Sequence, residues 1–94
     1  MGALTLLVVT AIGIGGPPGV PPARIANARV IVRHYGRLLA SSRSGRVRVR
    51  VRPGLYRVEA ELVPPAVSRV ERCQARTVRL GRTPRRVELG CSIK

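Results

Sequence analysis

The chain reads as an all-β protein, a small antiparallel β-sandwich of about seven strands, and three observations carry that expectation. Arginine and valine alternate without a break over residues 46–52 (RVRVRVR), and a period of two marks a strand with one dry face. The alternation resumes after Pro53-Gly54, with Tyr56, Val58, Ala60 and Leu62 on one face and Leu55, Arg57, Glu59 and Glu61 on the other. No helical period persists over a helix-length window anywhere in the chain. Because the polar face of the Arg/Val run is almost all arginine, it can be covered on one side only. That fits an antiparallel layer better than a parallel sheet buried on both faces.

Ninety-four residues make one domain with a single modest core, near the size where cross-links help. Three segments are expected: an apolar stretch at residues 1–16, a Pro/Gly-rich loop at 17–26, and the sandwich body at 27–94. The formal charge is +14, from eighteen basic and four acidic residues, and every basic residue except Lys94 is arginine. Such a field attracts nucleic acid, anionic lipid or an acidic protein. A compositional preference for arginine, with the side chains serving as ordinary solvent contacts, is the simpler explanation of the excess. Tyr35 and Tyr56 are the only aromatic residues, so the core must be built from Val, Leu, Ile and Ala. Its stability then leans on close packing.

Residues 3–14 (ALTLLVVTAIGI) admit three assignments. A spanning helix needs about 20 apolar residues, and this run stops earlier, at Gly15-Gly16-Pro17-Pro18, so no transmembrane span is expected. An export signal has an apolar h-region of this length, but no Lys or Arg precedes it here. A first β-strand is favoured by Thr5, Val8, Val9, Thr10 and Ile12. The next stretch, GGPPGVPP at residues 15–22, is a linker or long edge loop.

Residues 28–35 (ARVIVRHY) form a strand with Val30, Val32 and His34 on one face, and Ile31 on the other makes it more central than the Arg/Val strand. Gly36 supplies a bend, residues 37–40 a short return strand, and Ser41 to Gly45 a surface turn. Pro53-Gly54 is a strong turn pair that closes the Arg/Val strand into a hairpin with residues 55–62. Pro64-Pro65 ends that strand, and residues 63–72 are expected to be loop. Residues 73–93 are expected to be a hairpin about Gly81-Arg82-Thr83-Pro84, with Val78 and Leu80 inward, then Val87, Leu89, Cys91 and Ile93. That register sets Val78 opposite Val87 and brings Cys73 opposite Cys91 to within a one-residue bulge. The two cysteines then lie within disulfide reach, and closure of the loop stabilises the domain by roughly 3 kcal/mol. Two reduced, buried thiols are the alternative. A disulfide implies an oxidising compartment and favours export.

Catalytic chemistry finds no foothold. The acidic residues are Glu59, Glu61, Glu71 and Glu88. Glu59 and Glu61 are expected on a solvent face, paired with arginines including Arg57 and those of 46–52. His34 lacks a recognisable carboxylate and nucleophile partner, no phosphate-cradling glycine motif occurs, and the cysteines lack metal-site spacing. No catalytic residue, cofactor or metal is therefore assigned. The one candidate surface is a linear anion-binding row of Arg46, Arg48, Arg50 and Arg52, with Arg57 expected beside it. An acidic protein or another anionic surface fits this row. Nucleic acid is the competing partner, although aromatics for base stacking are nearly missing.

The order ARVIV (28–32), GR (36–37), SGRVRV (44–49), RPGLYRVEA (52–60), CQARTVRL (73–80) and RRVELGCSI (85–93) resembles the carboxypeptidase regulatory-like, or transthyretin-like (prealbumin-like), domains of exported bacterial proteins. In those domains a Pro-Gly-x-Tyr segment at the end of a strand is typical, here Pro53-Gly54-Leu55-Tyr56. The resemblance spans residues 28–93, with 4–14 added if the first strand is retained, and it departs from the family's aspartate-containing turn at residues 41–44. It implies an Ig-like, Greek-key sandwich acting as an accessory or adhesive module without catalysis, secreted or in the cell envelope. Cleavage after residue 16 would remove the first strand of that sandwich. A cytoplasmic, nucleic-acid-binding protein using the Arg46–Arg52 strand is the alternative.

Overall fold

The computed structural model of the chain describes residues 3–14, 18–19, 23–26, 28–62 and 70–93. Eight strands follow one another: β1 (Thr5–Ile14), β2 (Ala28–His34), β3 (Arg37–Ser42), β4 (Arg46–Val51), β5 (Gly54–Leu62), β6 (Val70–Cys73), β7 (Ala75–Leu80) and β8 (Arg85–Ile93). They form two four-stranded sheets, A in the order β4-β1-β8-β6 and B in the order β3-β2-β5-β7. Only Gln74 separates β6 from β7, so the two amount to one strand that changes sheet, and on that count the expected sandwich has its seven strands. Among the described residues there is no helix.

The dry faces of β1, β4 and β8 meet those of β2, β5 and β7 between the sheets. Leu7, Val9 and Ala11 of β1, Val47 and Val51 of β4, and Val87, Leu89 and Cys91 of β8 pack against Ala28, Val30 and Val32 of β2, Tyr56 and Val58 of β5, and Val78 and Leu80 of β7. The core is aliphatic apart from Tyr56 and Cys91, as the composition requires.

The apolar run at residues 3–14 is therefore a strand, and its place in the sheet explains its composition. β1 is central in sheet A, antiparallel to β4 and parallel to β8. The wholly antiparallel expectation is corrected at this β1–β8 pair. A central strand flanked on both sides is covered more fully than an edge strand, so apolar residues on both of its faces are tolerated. Leu7 and Val9 are fully buried, while Leu6, Val8 and Ile12 on the other face are half-buried.

Two expected hairpins are instead arches that cross between sheets. Pro53-Gly54 leads from β4 in sheet A to β5 in sheet B, and residues 81–84 lead from β7 in sheet B to β8 in sheet A. Val78 thus pairs with Tyr56 and Val87 with Val9, rather than with each other. A short link permits either geometry, and in both places the crossing lets the valine faces close on a shared core. At the first arch the Tyr56 hydroxyl donates to the Arg52 carbonyl, four residues back, which ties the crossing down. At the second, Thr5 Oγ1 donates to the Gly81 carbonyl at 2.8 Å.

The β2–β3 connection is a true hairpin. Tyr35 and Gly36 adopt φ of 50° and 79°, the left-handed pair of a two-residue turn that matches strand twist. The next link, β3 to β4, crosses sheets through Gly45, whose N–H donates to the Ala28 carbonyl of sheet B while its own carbonyl accepts from Ala11 of sheet A, both at 2.8 Å. Its φ is +82°, and a Cβ there would run into the Ile25 carbonyl, so glycine is required.

The loop expected at residues 63–72 is corrected at its end, where β6 begins at Val70. Residues 63–69, with Pro64-Pro65, lie outside the described residues, as does part of the 15–22 segment. Because the chain switches sheets at Gln74, only the Cys73 end of the expected hairpin stays beside β8. Cys73 pairs with Cys91 with Cα atoms 3.9 Å apart and sulfurs at disulfide distance. The cysteine pairing is as expected, although the strand leading away from Cys73 belongs to the other sheet.

Candidate anion-docking surface

Arg46, Arg48 and Arg50 alternate with inward-facing valines on β4, and all three stand exposed on the outer face of sheet A. Arg52 follows in the arch, also exposed. Arg57 does not join them. It lies on β5, opposite Arg33 and Thr77 in sheet B, because the Pro53-Gly54 link changes sheet instead of turning back beside β4. The row therefore ends at Arg52, and Arg57 looks out from the opposite side of the sandwich.

What completes the site is a strand that carries no charge. The register sets Leu6 beside Arg50, Val8 beside Arg48 and Thr10 beside Arg46. On the other flank of β1 the parallel ladder sets Arg86 beside Val8 and Glu88 beside Thr10. Arg48, Val8 and Arg86 thus form one transverse row, with the two arginine Cα atoms about 10 Å apart across three strands. Arg24, bridged to Ile12, closes one end. The result is an open cleft of 970 Å³ with an apolar floor of Leu6, Val8 and Ile12 and walls that include Arg24, Arg46, Arg48 and Arg86. Long arginine stems lie against such a floor while the guanidinium groups stay in water. Arg46 is steadied by its Nε, which donates to Thr10 Oγ1 at 3.2 Å.

The two outer faces differ in how their charge is met. On sheet B, Glu59 approaches Arg33 and Arg57 at 3.5 and 3.6 Å, and Glu61 approaches Arg29 at 3.4 Å. The expected surface ion pairs are formed there, with Arg57 as anticipated but with none of the arginines of 46–52. On sheet A, no ion pair forms among the described residues, and among the described side chains Glu88 is the acid that shares the outer face with Arg46, Arg48, Arg50 and Arg86. Glu59 and Glu61 are engaged within sheet B, whereas the arginines that border the cleft have no ion-pair partner among the described residues.

His34 serves packing. Its ring lies 4.9 Å from that of Tyr56 and 4.4 Å from that of Tyr35. Burial raises the Tyr56 phenol above its ordinary pKa of 10.0, and the Arg52 charge opposes this in part. Among the described residues, no three His, Cys, Asp or Glu side chains gather as a metal site would require.

Sequence reasoning missed Arg24, Arg86 and the β1 floor. The available signal was a strand apolar on both faces next to strands with basic outer faces. Arg86 reaches the site only through a parallel pairing between strands far apart in sequence, which no local pattern reports. Comparison with family models, curated proteins and solved structures returns no match.

Proposed function

We propose that this chain is a non-catalytic β-sandwich module of the carboxypeptidase regulatory-like kind, and that the outer face of sheet A docks an acidic protein partner. The cleft carries this reading. Arg24, Arg46, Arg48 and Arg86 border a shared apolar floor of Leu6, Val8 and Ile12, and none of them is held in an ion pair among the described residues. An apolar centre with a charged rim is the anatomy of a protein-docking patch. The carboxylates that match Arg46, Arg48, Arg50 and Arg86 would come from the partner, and the aliphatic floor would take its apolar side chains.

Export is part of the proposal. The Cys73–Cys91 pair at disulfide distance is at home in an oxidising compartment. In this reading β1 stays in the mature domain, since removing it would take out the centre of sheet A. No helix among the described residues is long and apolar enough to cross a membrane.

The test is affinity for polyglutamate against salt, for the native chain, an Arg48→Ser/Arg86→Ser variant of the cleft, and an Arg29→Ser/Arg57→Ser control on sheet B. At about 0.2–1 kcal/mol per exposed ion pair, the cleft variant should bind roughly 2- to 30-fold more weakly with a shallower salt dependence, and the control should bind almost as the native chain does. Equal losses in both variants would reduce the effect to net charge and sink the proposal. Duplex DNA held more tightly than polyglutamate at about 0.15 M salt, with a slope lowered by the cleft variant, would establish the nucleic-acid alternative instead.

A further inference from the structure

β4 is a wall of the cleft and also an edge of sheet A. The direction of its backbone groups follows from one bond. Ala11 N–H donates to the Gly45 carbonyl at 2.8 Å, and these two residues continue the register that pairs Thr10 with Arg46. Hydrogen-bonded and non-hydrogen-bonded pairs alternate along an antiparallel ladder. The bonded pairs are therefore Val9 with Val47, Leu7 with Val49 and Thr5 with Val51. Arg46, Arg48 and Arg50 send their N–H and C=O groups the other way, toward the open edge, where no strand pairs with them among the described residues.

The same three residues thus present free backbone donors and acceptors along the edge and guanidinium groups on the outer face. Alternate residues of a strand are spaced about 6.6–6.8 Å apart, and an incoming strand has the same repeat. Laid beside β4, it would meet an arginine at every second position. Between these, its side chains would face inward beside Val47, half-buried Val49 and Val51. The complement of this edge is an extended segment with Glu or Asp at alternate positions and aliphatic residues between. A second copy of β4 is a poor occupant, because arginines would stand opposite arginines, which destabilises a strand pair.

We propose that the β4 edge binds such an acidic strand by β-addition, extending sheet A by one strand. This rests on the docking role proposed above and adds to it backbone pairing and a sequence pattern for the partner.

Two capped peptides of identical composition test the proposal, TVEVEVEVT and TVVVEEEVT. Isothermal titration gives their affinities, and amide exchange on the isotope-labelled protein locates the contact. One more opposite-charge cross-strand pair, and a valine where the block peptide turns a glutamate inward, predict roughly tenfold tighter binding of the alternating peptide. Strand addition also predicts slowed exchange at the amides of Arg46, Arg48 and Arg50, with little change at Val47 and Val49, which are already bonded to β1. Equal affinities without protection at those three amides would overturn strand addition while leaving an acid-docking face in place. Failure of both peptides and of polyglutamate to bind would overturn both proposals. The charge-reversed variant Arg46→Glu/Arg48→Glu/Arg50→Glu keeps the backbone edge and should exchange TVEVEVEVT for TVKVKVKVT. Undiminished binding of TVEVEVEVT to it would also overturn the proposal.

Discussion

Leu6 and Leu7 are neighbours of the same chemistry on opposite faces of β1, and truncating each in turn tests the strand assignment of the whole apolar run. Leu7 is fully buried in the core between the sheets, while Leu6 is half-buried on the outer face beside Arg50. Leu7→Ala removes three methylene equivalents from a closed site and leaves a cavity that the β1–β4 and β1–β8 ladders keep from collapsing. A loss of roughly 2.5–4 kcal/mol follows. Leu6→Ala gives up part of its contact with solvent-exposed arginine stems, a loss of about 1 kcal/mol or less. Against a total stability of about 5–10 kcal/mol for a domain of this size, the first change is severe and the second mild. Urea denaturation followed by circular dichroism should show the midpoint falling by roughly 1–4 M for Leu7→Ala, at an m-value of about 1–2 kcal/mol/M, and by less than about 1 M for Leu6→Ala. Similar losses for the two, or a larger loss for Leu6→Ala, would refute the burial pattern of β1 and with it the place of this run in the sheet.

Other expectations follow from the links and the cross-link. Reduction of the Cys73–Cys91 pair, 18 residues apart, should lower stability by roughly 3 kcal/mol; a melting temperature indifferent to reductant would contradict a structural role. Gly45→Ala should destabilise by more than about 2 kcal/mol, because a left-handed backbone and a collision with the Ile25 carbonyl coincide there. Gly36→Ala, with φ of +79° but open space around it, should cost only about 1 kcal/mol, so thermal melts of the pair separate collision from conformation. Tyr56→Phe should cost about 1 kcal/mol through loss of the bond to the Arg52 carbonyl. It should also abolish a pH effect: the folded-state pKa of Tyr56 is raised above 10.0, so the unfolded chain ionises first. That stability contribution is intact below about pH 10 and is lost as pH climbs through the folded-state value. Native and variant chains with the same alkaline stability profile would exclude this linkage.

The strands were legible wherever periodicity alone decides them. The Arg/Val alternation gives β4, the pattern from Tyr56 to Ala60 gives β5, and Gly36 marks the β2–β3 turn, because each depends on residues close in sequence. Sheet membership was not legible. Pro53-Gly54 and residues 81–84 are compatible with a hairpin or an arch, and only the closing of two valine faces on one core selects the arch. Cys73 still meets Cys91 because β6 remains beside β8 before Gln74 carries the chain across. For β1, a run apolar on both faces has no period to read, and its role is set by two partners from distant parts of the chain. The candidate surface divides along the same line. Arg46, Arg48, Arg50 and Arg52 were visible as a row, the inclusion of Arg57 failed with the hairpin, and Arg86 depended on the parallel ladder.

The ladder between β1 and β8 joins segments far apart in sequence, from Leu7 with Arg85 to Ile14 with Ser92. Its long loop closure is the kind of contact that forms late and slows folding. On the ribosome β1 can find β4, but its other flank stays empty until β8 has been made, and the apolar Leu7, Val9 and Ala11 lack part of their cover until then. Sheet A is therefore completed only after translation of β8. A chain halted before Arg85 would lack this ladder, Cys91 and Arg86, and with them the closed centre of the sheet and one wall of the cleft.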